Sequence, residues 1–328
     1  MTGKIALVTT GGTIASRQVG DSVISVDAPE TLLRAAGIGT GAVEVIAFSN
    51  LGSNLIGLQM ALDLAQRIEA LLARADIDGC VVTHGTDTLE ESLFLASLVV
   101  ASPKPVVFTG AQLSADRADA DGPGNLVAAL RFAGSPQARG IGPVLVFAGD
   151  ILDAVQATKI DALAPAAYAA PHDGPIGSIR GDTITLFRRA ERRIVASSSG
   201  LPTGAISPDV FLLPAVMGMD GRLIDAAVHA GARGIVLEGF GCGNATPAIV
   251  AALVRAHARG VVSVVTSCCL RGDAVPLYGD GGGYHLAQAG AIFAGRLQGK
   301  KARILLALTL GLRDRSDRPI RAEDFLGF

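Results

Sequence analysis

Gly79-Cys80-Val81-Val82-Thr83-His84-Gly85-Thr86-Asp87-Thr88-Leu89-Glu90-Glu91-Ser92 reads as a strand, a turn and the opening of a helix. Cys80–Val82 is a short apolar, β-branched run that leads to a glycine, the pattern of a buried parallel strand ending in a turn. From Thr88 the period changes. Thr88 as N-cap with Glu91 three residues on predicts a capping box, and Leu93, Phe94, Ala96 and Leu98 continue the helix. Between strand and helix stand Thr83-His84-Gly85-Thr86-Asp87, polar side chains at the carboxyl end of a strand. Ligands of open α/β sheets bind at that end. An ordinary polar βα loop has the same composition, so this stretch fixes the fold class and leaves function open.

The same unit repeats to either side. Upstream, Ile5–Thr9 is a buried strand, Pro29–Ala36 a helix, Val43–Phe48 a strand and Gln59–Arg74 an amphipathic helix. Downstream, Pro105–Thr109 and Gly142–Ala148 are strands around a helix at Asn125–Ala133. Arg188-Arg189, Arg192-Arg193 and Ser197-Ser198-Ser199-Gly200-Leu201-Pro202 then shift the composition to that of a linker. Beyond it strands (210–216, 234–238, 261–266) alternate with helices (220–229, 247–257, 298–310). The expected architecture is α/β: a larger N-terminal parallel-sheet domain (1–188), a linker (189–209) and a smaller C-terminal α/β domain (210–328).

Composition narrows the class. Of 328 residues, 49% are apolar and 18% charged, with Gly 41 and no Trp, which suits a buried α/β protein and argues against disorder. A net charge of −2 provides no electrostatic footprint for nucleic acid or an anionic membrane. Met1-Thr2-Gly3-Lys4 runs into a strand without the charged and apolar regions of a signal peptide, and no apolar run reaches transmembrane length. Cys80, Cys242, Cys268 and Cys269 lack CxxC spacing and read as reduced, mostly buried thiols of a cytoplasmic protein, not a zinc site.

Further stretches carry possible chemistry. Thr10-Gly11-Gly12-Thr13-Ile14-Ala15-Ser16 leaves the first strand, and its glycines let backbone approach a ligand beside the Thr13 hydroxyl; it fits neither GxGxxG nor GxxxxGK[ST]. A plain tight turn reads the same way. Residues 17–27, polar around Gly20, have the composition of a mobile lid. Asp116, Asp119 and Asp121 lack the ordered ligand pattern and terminal Glu of a calcium loop and read as a solvated acidic loop. Lys159 stands in a segment with few other charges, where a lone lysine is ordinarily a surface group.

Thr10–Ser16 followed by Thr83–Glu91 resembles the ordered pair of signatures of the bacterial-type L-asparaginases. The likeness extends over Gly110-Ala111 to Asn125-Leu126, Thr158-Lys159, Gly174-Pro175-Ile176-Gly177, Gly241-Cys242-Gly243-Asn244 and Lys301–Leu306. It implies two α/β domains, an active site at the strand ends of the first, and hydrolysis of L-asparagine to aspartate and ammonia without metal or organic cofactor. It also implies a homotetramer of intimate dimers in which one subunit's second domain completes its neighbour's site. By the same likeness Thr13 is the nucleophile that forms a β-aspartyl ester, and Thr86, Asp87 and Lys159 form a second constellation. Ser53 would hold the substrate α-carboxylate, Asn54 and Asp87 the α-ammonium, and the carbonyl of Ala111 the amide nitrogen. Backbone N–H groups of Thr13 and Thr86 would form the oxyanion hole, and Asn244 would reach in from the partner. These residue types suit amide hydrolysis. An amide is a poor electrophile, and an activated hydroxyl, an oxyanion hole and a neutral lysine base each lower its barrier.

The chain departs from the family pattern in two places. Residues 17–27 hold no tyrosine, Val23 or Val26 taking the expected positions, and the acidic residue donated by a neighbour has no clear counterpart, although Asp280 lies in that region. The alternatives are a glutaminase-asparaginase, an amidase on a related Asn-like substrate, a tRNA-dependent amidotransferase relative, disfavoured because Thr13 lies so near the start, and a silent amino-acid-binding protein. Asparagine and glutamine differ by one methylene, about 1–3 kcal/mol in a pocket, and sequence does not separate them.

Overall fold

A computed structural model describes residues 3–190, 194–195, 205–313, 320–325 and 328. The chain divides into two compact units, Met1–Leu201 and Pro202–Phe328, a division that falls within the 189–209 stretch. Arg192-Arg193 and Ser197–Pro202, on which the linker reading rests, lie outside the described residues.

In the first unit β1 (Lys4–Thr9) is followed by a hairpin, β2 (Ser16–Val19) and β3 (Ser22–Ser25), then α1 (Pro29–Ala35), β4 (Val43–Ala47), α2 (Leu58–Leu72), β5 (Ile77–Thr83) and α3 (Leu89–Val99). Next come β6 (Val106–Thr109), α4 (Gly122–Ala133), β7 (Pro143–Phe147), β8 (Asp150–Asp153), the two-residue strands β9 (Thr158–Lys159) and β10 (Tyr168–Ala169), β11 (Gly177–Arg180) and β12 (Thr183–Leu186). The main sheet runs β12-β11-β8-β7-β6-β5-β1-β4. It is parallel from β4 to β7 and antiparallel beyond. The sheet is therefore mostly, not wholly, parallel. Ala148 and Gly149 both have positive φ (48° and 80°), a two-residue reversal that returns the chain beside β7, where a parallel partner needs a long crossover.

Leu7, Val81 and Val107 point to the face covered by Leu32 and Leu33 of α1 and Leu126 and Phe132 of α4. Helices α2 and α3 pack on each other and on β5 and β7, covering the other face. Nearly every position of α3 is buried, so its stripe of apolar residues widens to the whole circumference. Each fully buried Leu or Phe contributes about 1.5–3 kcal/mol. The path from β1 goes out to β4 and returns to β5 on the opposite side of β1. The strand order thus reverses between β1 and β5, whose exit loops carry Thr13 and Thr86. That crevice is where open α/β sheets bind ligands.

The second unit has β13 (Val210–Pro214), α5 (Arg222–His229), β14 (Gly234–Gly239), α6 (Pro247–His257), β15 (Val262–Ser267), α7 (Gly283–Gln288), β16 (Ile292–Phe293) and α8 (Gly299–Arg313). Its sheet is parallel in the order β13-β14-β15-β16. The Gly281–Gly283 stretch leads straight into α7. The cysteines are free thiols, but only Cys80 is buried; Cys242 is half-buried and Cys268 and Cys269 are exposed, because they follow the end of β15 and do not face a sheet. No described helix is long and apolar enough to cross a membrane.

Candidate active site

Backbone contact brings the loops together. Gly12 has φ +84°, and a Cβ there would lie 2.3 Å from the Gly85 Cα; a Cβ on Gly85 would lie 2.7 Å from the Ser53 Oγ. The exits of β1 and β5 and the turn after β4 therefore meet where side chains are missing, which is the reason for both glycines. Thr10 adds a backbone and a hydroxyl hydrogen bond to the Thr83 carbonyl, both 3.1 Å.

Thr13 opens a short 3-10 turn, Thr13–Ala15, and is half-buried. Its hydroxyl and its N–H make no hydrogen bond among the described residues, and neither does the Thr86 N–H. Both donors are thus available to a developing oxyanion. Thr86 is 5% exposed. Its hydroxyl accepts from Lys159 Nζ at 2.9 Å and donates to Gln112 Oε1 at 2.8 Å. Lys159 Nζ also meets Asp87 Oδ1 at 3.1 Å, with the lysine side chain 17% and the aspartate 65% exposed. The Lys159 N–H donates to Glu90 Oε2 at 2.7 Å, and Glu90 is buried. Lys159 is therefore not the surface group that a lone lysine suggests; β9 carries it back to the β5 exit.

Ser53 is buried, and its Oγ accepts from the Asp87 N–H at 3.1 Å, leaving its own proton to donate. The expected capping box at Thr88 is not formed. No side-chain cap bond is made there: the Glu91 N–H donates to the Thr88 backbone carbonyl at 3.1 Å, and the Thr88 hydroxyl donates to the Ser53 carbonyl at 2.7 Å. Asn54 is exposed, its Oδ1 lying over Gly52, and Ala111 is fully buried at the exit of β6. The fold thus gathers Thr13, Ser53, Thr86, Asp87 and Lys159. Asn244 belongs to the second unit, where its Oδ1 accepts from the Gly283 N–H at 3.1 Å. Asp280 is exposed with φ +51°.

The neighbouring polar residues are mostly structural. Asp121 is not a solvated acid: its carboxylate accepts from the N–H groups of Gln112 and Leu113 and pins the exit of β6. Residues 17–27 form the β2–β3 hairpin and not a loop without structure. Gln18 N–H donates to Asp116 at 3.0 Å, Arg17 pairs with Asp27 at 2.6 Å, and Ser25 donates to Asn50 at 2.5 Å. Val23 and Val26 remain about half exposed, at 51% and 46%. Burial depresses His84 to about 4, so its imidazole stays neutral, with Nδ1 2.8 Å from the Gly85 carbonyl oxygen. Burial pushes the Cys80 thiol up to about 12 and leaves it inert.

Sequence reasoning missed Gln112, Glu90 and Tyr168, whose phenol donates to the Thr86 carbonyl at 2.5 Å. Gln112 adjoins Ala111 in a motif already singled out, and Glu90 follows the signature threonines; Tyr168 carries no local signal.

Residues 4–192 match the family model described as Asparaginase, N-terminal, and residues 209–322 that described as Glutaminase/Asparaginase C-terminal domain. The chain is 33% identical over 324 residues to the L-asparaginase of Bacillus licheniformis, covering 96% of this chain and 99% of that one. It is 36% identical over 318 residues to the probable L-asparaginase of Deinococcus radiodurans, covering 94% and 93%. The crystal structure of the probable cytoplasmic L-asparaginase from Campylobacter jejuni superposes with a TM-score of 0.87 at 28% identity, covering 99% of this chain and 100% of that one.

Proposed function

This chain belongs to the asparaginase family, and from that premise we propose that it hydrolyses the side-chain amide of L-asparagine through a threonine ester. Thr13 Oγ attacks the amide carbon, with the developing oxyanion on the N–H groups of Thr13 and Thr86. The C–N bond breaks, the Thr13 proton passes to the leaving nitrogen, and ammonia departs. Thr86 and Lys159, with Asp87 beside them, then take a proton from water, which cleaves the β-aspartyl ester and returns Thr13 to its hydroxyl form. Ser53, Asn54 and Asp87 hold the α-carboxylate and α-ammonium, and the Ala111 carbonyl orients the amide.

The observation that carries this reading is the 2.9 Å contact of Lys159 Nζ with the Thr86 hydroxyl at the strand-order reversal. Ammonia release from L-asparagine tests it, and the ratio of kcat/KM for L-asparagine and L-glutamine decides between asparaginase and glutaminase-asparaginase. A protein that releases ammonia from neither is a silent binder.

Residues 1–188 are the proposed catalytic domain, and 210–328 supply Asn244 to a partner's site in a homotetramer of intimate dimers. Specific activity should then vanish on dilution to monomer, measured by light scattering alongside ammonia release; constant activity refutes the shared site. A cytoplasmic setting belongs to the same reading, supported by the name of the Campylobacter relative.

A further inference from the structure

The chain has three tyrosines, Tyr168, Tyr278 and Tyr284, and Tyr168 stands alone in the first unit. It is 7% exposed, and its ring meets Phe147 edge-on at 5.1 Å between centroids, which fixes where the phenol aims. The oxygen donates to the Thr86 carbonyl at 2.5 Å. That carbonyl belongs to the peptide joining Thr86 to Asp87, and the N–H of the same peptide donates to Ser53 Oγ at 3.1 Å. Tyr168 and Ser53 therefore clamp one peptide plane from both edges. Thr86 and Asp87, the two side chains that meet Lys159 Nζ, spring from its two ends. Tyr168 is also the residue opposite Lys159 in the β9–β10 ladder. One side chain thus ties the strand that carries the lysine to the peptide that carries both of its partners.

We propose that Tyr168 is a positioning residue for the Thr86–Asp87–Lys159 group, holding the Thr86–Asp87 peptide through its phenol donor. The inference rests on the amide-hydrolase reading. The phenol is suited to a permanent donor role: burial, with Glu90 and Asp87 nearby, raises its pKa and keeps it protonated. Loss of the donor leaves a buried carbonyl unsatisfied and frees the peptide to tilt, which misaligns two side chains at once.

The test compares the wild type with Tyr168→Phe, which keeps the ring. Expected are a fall in kcat of about tenfold or more, a smaller fold rise in the Kd for aspartate, because Asp87 also holds the α-ammonium, and a melting temperature within a few degrees. 4-Aminophenylalanine at position 168 restores a para donor of the same reach and should keep a higher kcat than Tyr168→Leu, so the claim stays decidable if the phenylalanine variant does not fold. Equal kcat in Tyr168→Phe and an active wild type overturns this role alone. A loss of aspartate affinity as large as the loss of kcat, with a lower melting temperature, means general structural support and also overturns it. A wild type that releases no ammonia from either amide overturns the functional reading, and this role with it.

Discussion

Thr13 and Thr86 leave adjacent strands of one sheet, yet the protein holds them differently. Thr86 is buried, its hydroxyl is fixed between Lys159 and Gln112, and its carbonyl is fixed by Tyr168. Thr13 is half-buried on a glycine-constrained turn, and its hydroxyl has no partner among the described residues. The difference suggests a division of labour. A group that must move protons on every turnover gains from a fixed base, whereas a hydroxyl that must reach a substrate carbon gains from being uncommitted until substrate arrives. In the β5 exit side chains hold the backbone; in the β1 exit the backbone, at Gly12 against Gly85, presents the side chain.

The largest expected effect breaks the comparison at Thr13. Thr13→Ala should fold and bind aspartate but lose kcat by at least about a thousandfold, as loss of a covalent nucleophile does. A variant with a tenth of wild-type activity removes Thr13 from the role.

Next comes the wired side. Lys159→Met and Thr86→Val should each be nearly inactive, by about a thousandfold, and the double variant scarcely worse, since the two act as one unit. Losses in free energy that simply add contradict a shared relay.

The hairpin sharpens the comparison because it follows directly from the Thr13 turn. Replacing Arg17–Ser22 with a Gly/Ser stretch removes the Arg17–Asp27 pair and the bond of the Gln18 side-chain amide to the Gly20 carbonyl. It should lower kcat/KM by about ten- to a hundredfold while leaving the Thr86–Lys159 geometry intact in a crystal structure. Unchanged kinetics mean that the hairpin does not serve as a lid.

The smallest effect is on stability and concerns His84, just before Gly85 and Thr86. Its folded pKa of about 4 lies below the ordinary 6.5. Between those values the unfolded chain binds a proton that the folded chain refuses, so stability is lost as pH falls from 6.5 toward 4, by on the order of 3 kcal/mol. His84→Gln should flatten that limb in urea unfolding measured across the range. An equally steep limb assigns the acid sensitivity to the carboxylates.

What sequence made legible was local. The helix expected over Pro247–His257 forms with those bounds because Thr246 caps it and accepts from the Ile249 N–H. The strand at 80–82 and the polar turn after it are where periodicity puts them. The antiparallel edge, β8, β11 and β12, is not legible in the same way, because β11 and β12 are short and half exposed and set no apolar run. Thr88 makes no side-chain cap because the Glu91 N–H is taken by the Thr88 backbone carbonyl, while the hydroxyl is turned to the Ser53 carbonyl, more than a helix away in sequence. Tyr168 is silent in the sequence for the same reason: its meaning lies in a two-residue ladder and in a carbonyl from another strand's exit.

The central claim is that Thr13 attacks while Thr86 and Lys159 move protons, and the most direct test is to find the ester. Wild-type protein mixed with L-asparagine, quenched in acid within the turnover time and digested, should give an aspartyl adduct by mass spectrometry on the peptide containing Thr13. Thr13→Ala should give none, and an adduct on the peptide containing Thr86 would contradict the account.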